Sequence, residues 1–173
     1  MKNSIAFILL GLFAIHNVNA DPSGLYVGIS GLEDDAEFRG DKDEDTGWEI
    51  RLGYSINKYF AVQAGYLDLG EVVLPNFADG GGSVETDGVA VSALAMFPMG
   101  DDFSVVGKVG LLAWERDGVL GSIAGPRELS EDGSDLMLGI GFSYHVTDKV
   151  DITADYNDSE DFTWIAGGIN YHF

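Results

Sequence analysis

The sequence predicts an all-β fold, namely an eight-stranded antiparallel up-and-down transmembrane β-barrel. Eight segments alternate apolar with polar or small residues at a period of two, which is the period of a strand with two unlike faces. The 173 residues include 24 glycines and only four prolines, a composition that weakens helices and suits closely packed strands. The connections between the segments alternate between short turns and long acidic stretches, as in a meander.

The first 20 residues are expected to be a signal peptide that is removed from the mature protein. Lys2 supplies a positive charge, residues 5–15 form an apolar run, and compact residues Val18 and Ala20 precede the expected cleavage point. A membrane-spanning helix would need roughly 20 apolar residues, which this run does not reach. We therefore expect residues 21–173 to form one barrel domain.

The eight predicted strands form one apolar and one polar face. They cover residues 25–31, 46–55, 59–69, 87–97, 103–115, 135–145, 150–156 and 162–173. The apolar face carries Trp48, Ile50, Leu52, Val62, Ala64, Tyr66, Val105, Val109, Leu111, Leu136, Leu138, Ile140, Phe142, Ile165, Ile169, Tyr171 and Phe173. The polar face carries Glu49, Arg51, Gln63, Ser92, Lys108, Ser143, Asp151, Thr153, Asp155 and Asn170.

The connections differ in length at the two ends of the predicted sheet. Short turns are expected at residues 56–58, 98–102 and 146–149. Long acidic loops are expected at residues 32–45, 70–86 and 116–134, with a brief connection at residues 157–161. Because alternate connections of a meander lie at the same end, one end is predicted to be tight and the other to carry acidic loops.

Alternation alone does not say which face is inside. A soluble lipocalin-like carrier of the periplasm and a membrane barrel with reversed faces are both compatible with it. Aromatic residues such as Tyr54, Phe60, Phe97 and Phe103 flank the short turns, as an interfacial girdle would, and the chain ends on Phe173. These features favour the membrane barrel. Asp68 and Asp87 have lipid-facing parity, but both lie at strand ends, where a charge costs roughly 0 to 1 kcal/mol.

The segments GWEIRLGYSINKYFAVQAGYLDLG, VVGKVGLLAWERD, LGIGFSYHVTDKVDITADY and AGGINYHF resemble the small outer-membrane barrel family typified by the OmpA transmembrane domain. Ile169, Tyr171 and Phe173 resemble the terminal signal by which that family is recognised for barrel assembly. The resemblance implies outer-membrane lipids and the barrel-assembly machinery as partners, and a location in the cell outer membrane with long loops outside. Such barrels serve as structural anchors, adhesins or serum-resistance factors, and the periplasmic peptidoglycan-binding domain of full-length OmpA proteins is expected to be absent here.

Charged residues on the polar face are expected to form a network inside the barrel. Glu49, Arg51, Lys108, Asp151 and Asp155 would point into a narrow interior, where an unpaired charge is costly. Eight strands leave room only for side chains, which favours a plug. The alternative is an ion path, that is, a narrow pore.

An acidic run precedes the second predicted strand and matches only part of the calcium-loop pattern. Asp41, Asp43 and Asp45 fit the first three ligand positions, but Thr46 and Leu52 stand where glycine and a bidentate glutamate are required. Weak divalent binding by these aspartates remains a hypothesis beside the simpler view of a solvated, self-repelling loop.

An enzymatic function is not expected, although barrels of this kind can host lipid-modifying hydrolases. After the predicted cleavage point the only histidines are His145 and His172, both on the polar face near the short turns and far from the loops. No cysteine, H-E-x-x-H or G-x-G-x-x-G motif is present, so no cofactor is expected. The net charge of −20 argues against nucleic acid as a partner. We expect a non-catalytic outer-membrane protein that supports envelope integrity or contacts an unknown surface partner, for example in adhesion.

Overall fold

A computed structural model describes residues 24–38, 41–74, 82–120 and 127–173, which form eight antiparallel strands closed into a barrel. The strands are β1 Gly24–Phe38, β2 Asp41–Asn57, β3 Phe60–Leu74, β4 Gly82–Pro98, β5 Phe103–Leu120, β6 Arg127–Thr147, β7 Val150–Asp158 and β8 Thr163–His172. The predicted eight-stranded up-and-down fold is therefore confirmed. The expected signal peptide, residues 1–20, lies outside the described residues. Nothing helical in the described part of the chain has the length and apolar character of a membrane span.

The barrel closes because the first strand pairs with the last. β1 runs antiparallel to β8 from Tyr26, opposite His172, to Asp34, opposite Trp164. The end of the chain is tied to the same seam, since the Phe173 amide donates to the Leu25 carbonyl at 3.1 Å. With this seam in place, every strand has a neighbour on both sides across the apolar band, so no row of backbone groups is left unpaired there.

The two faces follow the predicted parity. Ile140 is 58% exposed and Leu111 is 64% exposed on the outside, whereas Arg51 and Glu49 are buried inside at 2% and 4%. Exposed aromatic residues, including Phe60, lie beside the short turns. A continuous outer band of this kind would be in contact with water in a soluble protein, which is why the lipocalin-like alternative does not fit.

The three short turns lie where the sequence predicts them. They join Asn57 to Phe60, Pro98 to Phe103 and Thr147 to Val150. In the first turn, the Asn57 side-chain carbonyl accepts hydrogen bonds from the amides of Tyr59 at 2.8 Å and Phe60 at 3.0 Å. Asparagine thus replaces the missing backbone partners of the turn, a role for which its side chain is suited.

The prediction of three long loops is wrong in large part. Residues 32–38 and 41–45 continue β1 and β2 as paired arms. Of the other two predicted loops, residues 70–74, 82–86, 116–120 and 127–134 likewise continue β3 to β6. Backbone hydrogen bonds do not depend on side-chain polarity, so a hairpin can continue into water where both faces are polar. The alternation that marked the strands is lost there, although the pairing is not. The brief connection before β8 is correctly predicted, because β7 ends at Asp158 and β8 begins at Thr163.

One irregularity in the arms depends on a glycine. The pairing of β3 with β4 shifts register between Asp68 and Glu71, and Gly70 within the shift has a φ of 95°. A residue with a side chain rarely adopts this angle. The Gly70 amide donates to the Asp68 carboxylate at 3.0 Å, which fixes the bulge where the arm leaves the barrel wall.

The position of the lipid boundary can be tested with two arginine substitutions. Ile140→Arg places a charge near the middle of the apolar band and should destabilise the barrel by about 2 to 4 kcal/mol. Val119→Arg, on the outer face of an arm, should cost only roughly 0 to 1 kcal/mol. Urea titrations of the protein folded into lipid vesicles would measure both, and equal costs would contradict the assignment of the arms to water.

Candidate functional site

Arg51 is the centre of the polar network inside the barrel. Its guanidinium lies 3.4 Å from the Glu49 carboxylate and 3.4 Å from the Asp155 carboxylate. It also donates to the Asn170 side chain at 3.0 Å and to the Thr153 hydroxyl at 2.9 Å. The Nη2 group that donates to Thr153 also donates to the Ser30 hydroxyl. One side chain of β2 is thereby joined to β1, β7 and β8, which are the strands on either side of the closing seam.

Lys108 joins the same network from the opposite wall. Its ammonium group on β5 lies 3.7 Å from the Asp155 carboxylate, which therefore stands between two cations. Two acidic and two basic side chains, Glu49, Asp155, Arg51 and Lys108, make this part of the interior electrically neutral. All four are at least nine-tenths buried, so each depends on the others for its stability as an ion.

Asp151 forms a separate cluster at the short-turn end of the interior. Its carboxylate contacts the ring nitrogen Nδ1 of His145 and lies 2.8 Å from Nε2 of His172. The Ser143 hydroxyl donates to the same carboxylate at 3.4 Å. The serine thus contacts the aspartate and neither histidine, which is not the order of a nucleophile, a base and an orienting acid. The fifth predicted network residue, Asp151, is paired with histidines and not with Arg51 or Lys108.

An aromatic side chain covers the wall between these two clusters. The Tyr26 hydroxyl donates to the Gln63 carbonyl at 3.1 Å, and its ring centroid is 5.3 Å from that of His172. A Cβ atom added at Gly53 would collide with the Tyr26 ring. The glycine therefore makes room for the ring, which fills interior space that a smaller side chain would leave open.

The half of the interior nearer the arms is apolar, a feature that the sequence reasoning missed. Leu112 and Ala166 are completely buried, and Trp164 is 2% exposed. The cluster consists of Leu32, Leu67, Leu69, Ala90, Leu112, Met137, Phe162, Trp164 and Ala166. All of these residues lie on the inner face, and their inward parity was the available signal.

The apolar cluster is capped by aromatic and charged side chains. Trp114 packs edge-on against Phe162 with ring centroids 5.4 Å apart, and its indole nitrogen donates to Asp135 at 2.9 Å. The Arg116 guanidinium lies 5.3 Å from each of these two rings and 3.9 Å from the Glu131 carboxylate. The interior is thus filled by a neutral polar network on the side of the turns and by an apolar layer on the side of the arms.

Carboxylates form a cross-strand row on the outer face, where the arms leave the wall. Asp68 lies opposite Asp87, Asp87 opposite Glu115, and Glu115 opposite Asp132, so the row crosses four strands. The Tyr66 hydroxyl donates to Asp87 at 2.6 Å. The like charges themselves face each other directly, an arrangement that weakens strand pairing.

The predicted divalent candidates lie in the arm of β2. Asp41, Asp43 and Asp45 pair through their backbones with Phe38, Ala36 and Asp34, while their side chains fall outside the described part of the structure. The predicted loop around them is therefore a paired arm. Among the described side chains, no group of three or more histidine, aspartate or glutamate residues is arranged to hold a metal ion.

The residues that resemble an assembly signal lie on the outer face of β8 and just beyond it. Ile169, Tyr171 and Phe173 are all exposed there, and the rings of the last two meet edge to face at 5.4 Å. Their role in assembly stays a prediction.

The sequence matches the outer membrane protein beta-barrel domain family over residues 5–173. A search of curated proteins gives no significant match. Among solved structures, Ail, the attachment invasion locus protein of Yersinia pestis, in complex with the heparin analogue sucrose octasulfate, is similar with a TM-score of 0.64 and 18% identity, over 87% of this chain and 99% of that chain.

Two further structures show the same fold. Neisserial surface protein A has a TM-score of 0.62 and 19% identity, over 87% of this chain and 98% of that chain. The N-terminal β-barrel domain of Pseudomonas aeruginosa OprF has a TM-score of 0.60 and 15% identity, over 87% of this chain and 99% of that domain. At these sequence identities the similarity shows a shared fold and nothing beyond it.

Arg51→Met tests whether the polar network holds the interior together. The change leaves Glu49 and Asp155 with less compensation in a buried site and should destabilise the barrel by about 3 to 5 kcal/mol. The double variant with Asp155→Asn restores neutrality and should recover part of the loss. Unfolding in lipid vesicles, followed by tryptophan fluorescence, measures both. Lys58→Met in an exposed turn is the control, and an Arg51→Met cost as small as that of the control would contradict the argument.

Proposed function

Because the chain belongs to the outer membrane protein beta-barrel domain family, we propose that it is a non-catalytic outer-membrane protein whose acidic arms contact cationic partners outside the cell. Residues 1–20 act as the cleaved signal peptide and residues 21–173 as the barrel. The barrel anchors the arms in the lipid, and the barrel-assembly machinery inserts it by way of Ile169, Tyr171 and Phe173.

The distribution of charge supports this proposal more than any other observation. Residues 32–45, 68–87, 115–135 and 158–161 contain 22 of the 29 acidic residues of the chain but only four of its nine lysines and arginines. The described residues of these ranges belong to the arms and to the β7–β8 connection, all at the same end of the barrel. A strongly negative surface on a rigid support attracts cations and basic proteins over long distances.

The orientation follows from the unequal ends of the barrel. In outer-membrane barrels the short turns face the periplasm and the long connections face outward. The turns at Lys58–Tyr59 and Asp148–Lys149 and the end of β8 are at one end, and the arms are at the other. The arms are therefore assigned to the outside.

The carboxylate row gives a second reason to assign function to the arms. Directly opposed like charges lower the stability of a sheet, each pair by a few tenths of a kcal/mol to about 1 kcal/mol. The pairs from Asp68 to Asp132 thus oppose folding of the arms unless cations balance them. A bound cationic partner would remove this cost, so binding and ordering of the arms support each other.

A pore is the less favoured function because both layers of the interior are filled. The Arg51 network is neutral and hydrogen-bonded, and the layer around Leu112 is apolar and buried. An ion would have to displace the Arg51 network and cross the apolar layer without its water shell. The plug is accordingly assigned to stability.

Single-channel recording tests the plug. Wild-type protein reconstituted in a planar bilayer should show no stable, voltage-independent conductance of porin size, because eight strands enclose only side chains. A persistent conductance of that size would contradict the plugged interior and identify the barrel as a pore.

Neutralising the carboxylate row tests the arms. The triple variant Asp87→Asn, Glu115→Gln and Asp132→Asn should bind poly-lysine several-fold more weakly in nanodiscs of zwitterionic lipid, because three opposing charges are lost. The matched control, Asp101→Asn, Asp102→Asn and Asp148→Asn, removes the same charge at the turns and should keep the wild-type affinity. Fluorescence anisotropy measures both variants, and identical affinities would remove the support for the acidic arms.

A further inference from the structure

The arm of β6 has a neighbour on only one side. β6 begins at Arg127 and pairs with β5 along its whole arm. Its pairing with β7 begins only at Leu138, opposite Asp158. Among the described strands, none pairs with the other edge of β6 before Leu138. Residues 127–137 are therefore an edge strand, hereafter the β6 edge.

Within the described part of the chain, the β6 edge borders a gap in the outer wall. β7 and β8 are nine and ten residues long, whereas β5 and β6 have 18 and 21 residues. On the far side, β1 loses its β8 partner after Asp34 and continues to Phe38 beside β2 alone. The space above the β7–β8 connection is two strands wide, about 14 Å from β6 to β1 at the usual strand spacing.

The backbone of the β6 edge is regular enough to accept another strand. Its pairing with β5 proceeds one residue at a time from Arg127 to Leu138 with no shift of register. The segment contains no proline, and a bulge or proline is how sheet edges are usually blocked. In an antiparallel ladder, every second residue directs its N–H and C=O groups toward the open side. Such a row is the binding element of β-strand addition.

The side chains beside the edge decide which strand fits. Glu128 and Asp132 lie exposed on the outer face, whereas on the inner face Glu131 faces Arg116 and Asp135 accepts a hydrogen bond from Trp114. Of the side chains that the structure describes, no lysine or arginine pairs with Glu128 or Asp132, so the acidic charge of the outer face is not balanced there. A second copy of the same edge would place carboxylates against carboxylates, which disfavours pairing between two molecules of this protein.

We propose that the β6 edge binds an extended basic segment of a partner protein by β-strand addition. Lysine or arginine side chains at alternate positions of the added strand lie beside Glu128 and Asp132. Apolar side chains at the intervening positions point inward, over the Trp114 and Phe162 rings that cap the apolar cluster. The proposal rests on the proposed function of the arms and adds to it a location, a binding mode and a sequence pattern.

Two peptides distinguish strand addition from attraction by charge alone. A short peptide that alternates lysine with valine can form a strand. One that alternates lysine with proline has the same charge but lacks every second backbone N–H and is disfavoured as a strand. With wild-type protein in zwitterionic nanodiscs, the first should bind at least about tenfold more tightly by anisotropy. Hydrogen exchange should slow at alternate amides of residues 128–135 when it binds.

A charge-reversed variant localises the site. Glu128→Lys with Asp132→Lys should weaken binding of the lysine–valine peptide by about tenfold, since two opposite-charge cross-strand pairs become repulsive. Asp101→Lys with Asp102→Lys, at the turn end, is the matched control and should bind as the wild type does. Neither variant should unfold below the wild-type midpoint, which confirms that the barrel is intact. The charge-reversed variant should unfold slightly above it, because Asp132→Lys replaces a repulsive pair with Glu115 by an attractive one.

Each contrary result has a distinct meaning. Equal binding of the two peptides without slowed exchange would overturn strand addition while leaving the acidic arms as a charged surface. Failure of both peptides and of poly-lysine to bind would overturn the proposed function together with this inference. Slowed exchange at residues 128–135 without any peptide, in particles that contain two barrels, would identify a second copy as the occupant and overturn the basic partner.

Discussion

The pairing of β1 with β8 is the interaction on which the rest of the structure depends. Hydrocarbon offers no hydrogen bonds to a backbone N–H or C=O group, and each unsatisfied group costs several kcal/mol. An open eight-stranded sheet would leave two such rows exposed. The seam from Tyr26 to Asp34 removes both rows within the lipid, and the outward apolar band can then meet lipid without any polar backbone group between.

Closure creates an interior that must be filled. Eight strands enclose a narrow space, and every second residue of each strand points into it. Near the turns this space is filled by charged side chains and by Tyr26, whose ring occupies the room left by Gly53. Farther out it is filled by Leu112 and its neighbours. Both solutions avoid a buried charge without a partner. The first pairs the charges around Arg51 and Asp155, and in the second the Asp135 carboxylate accepts a hydrogen bond from Trp114.

The parity of the strands could be predicted because lipid and lumen impose opposite demands on successive residues. Trp48 and Arg51 were assigned to the correct faces by this rule alone. The ends of the strands could not be predicted in the same way, because both faces of an arm meet water and the alternation disappears. The contact between Arg51 and Asp155 also required the structure, since 104 residues separate them and only the registers of β7, β8, β1 and β2 bring them together.

The unequal strand lengths separate what the membrane requires from what it does not. A tilted transmembrane strand needs about 9 to 11 residues, and β7 and β8 have nine and ten. The additional length of β1 to β6 is therefore not needed to cross lipid. It costs conformational entropy to order, and the row from Asp68 to Asp132 adds repulsion. A fold that served as an anchor alone would not need such arms, so their length supports the proposed role outside the lipid, where the long arms border the gap above the short hairpin.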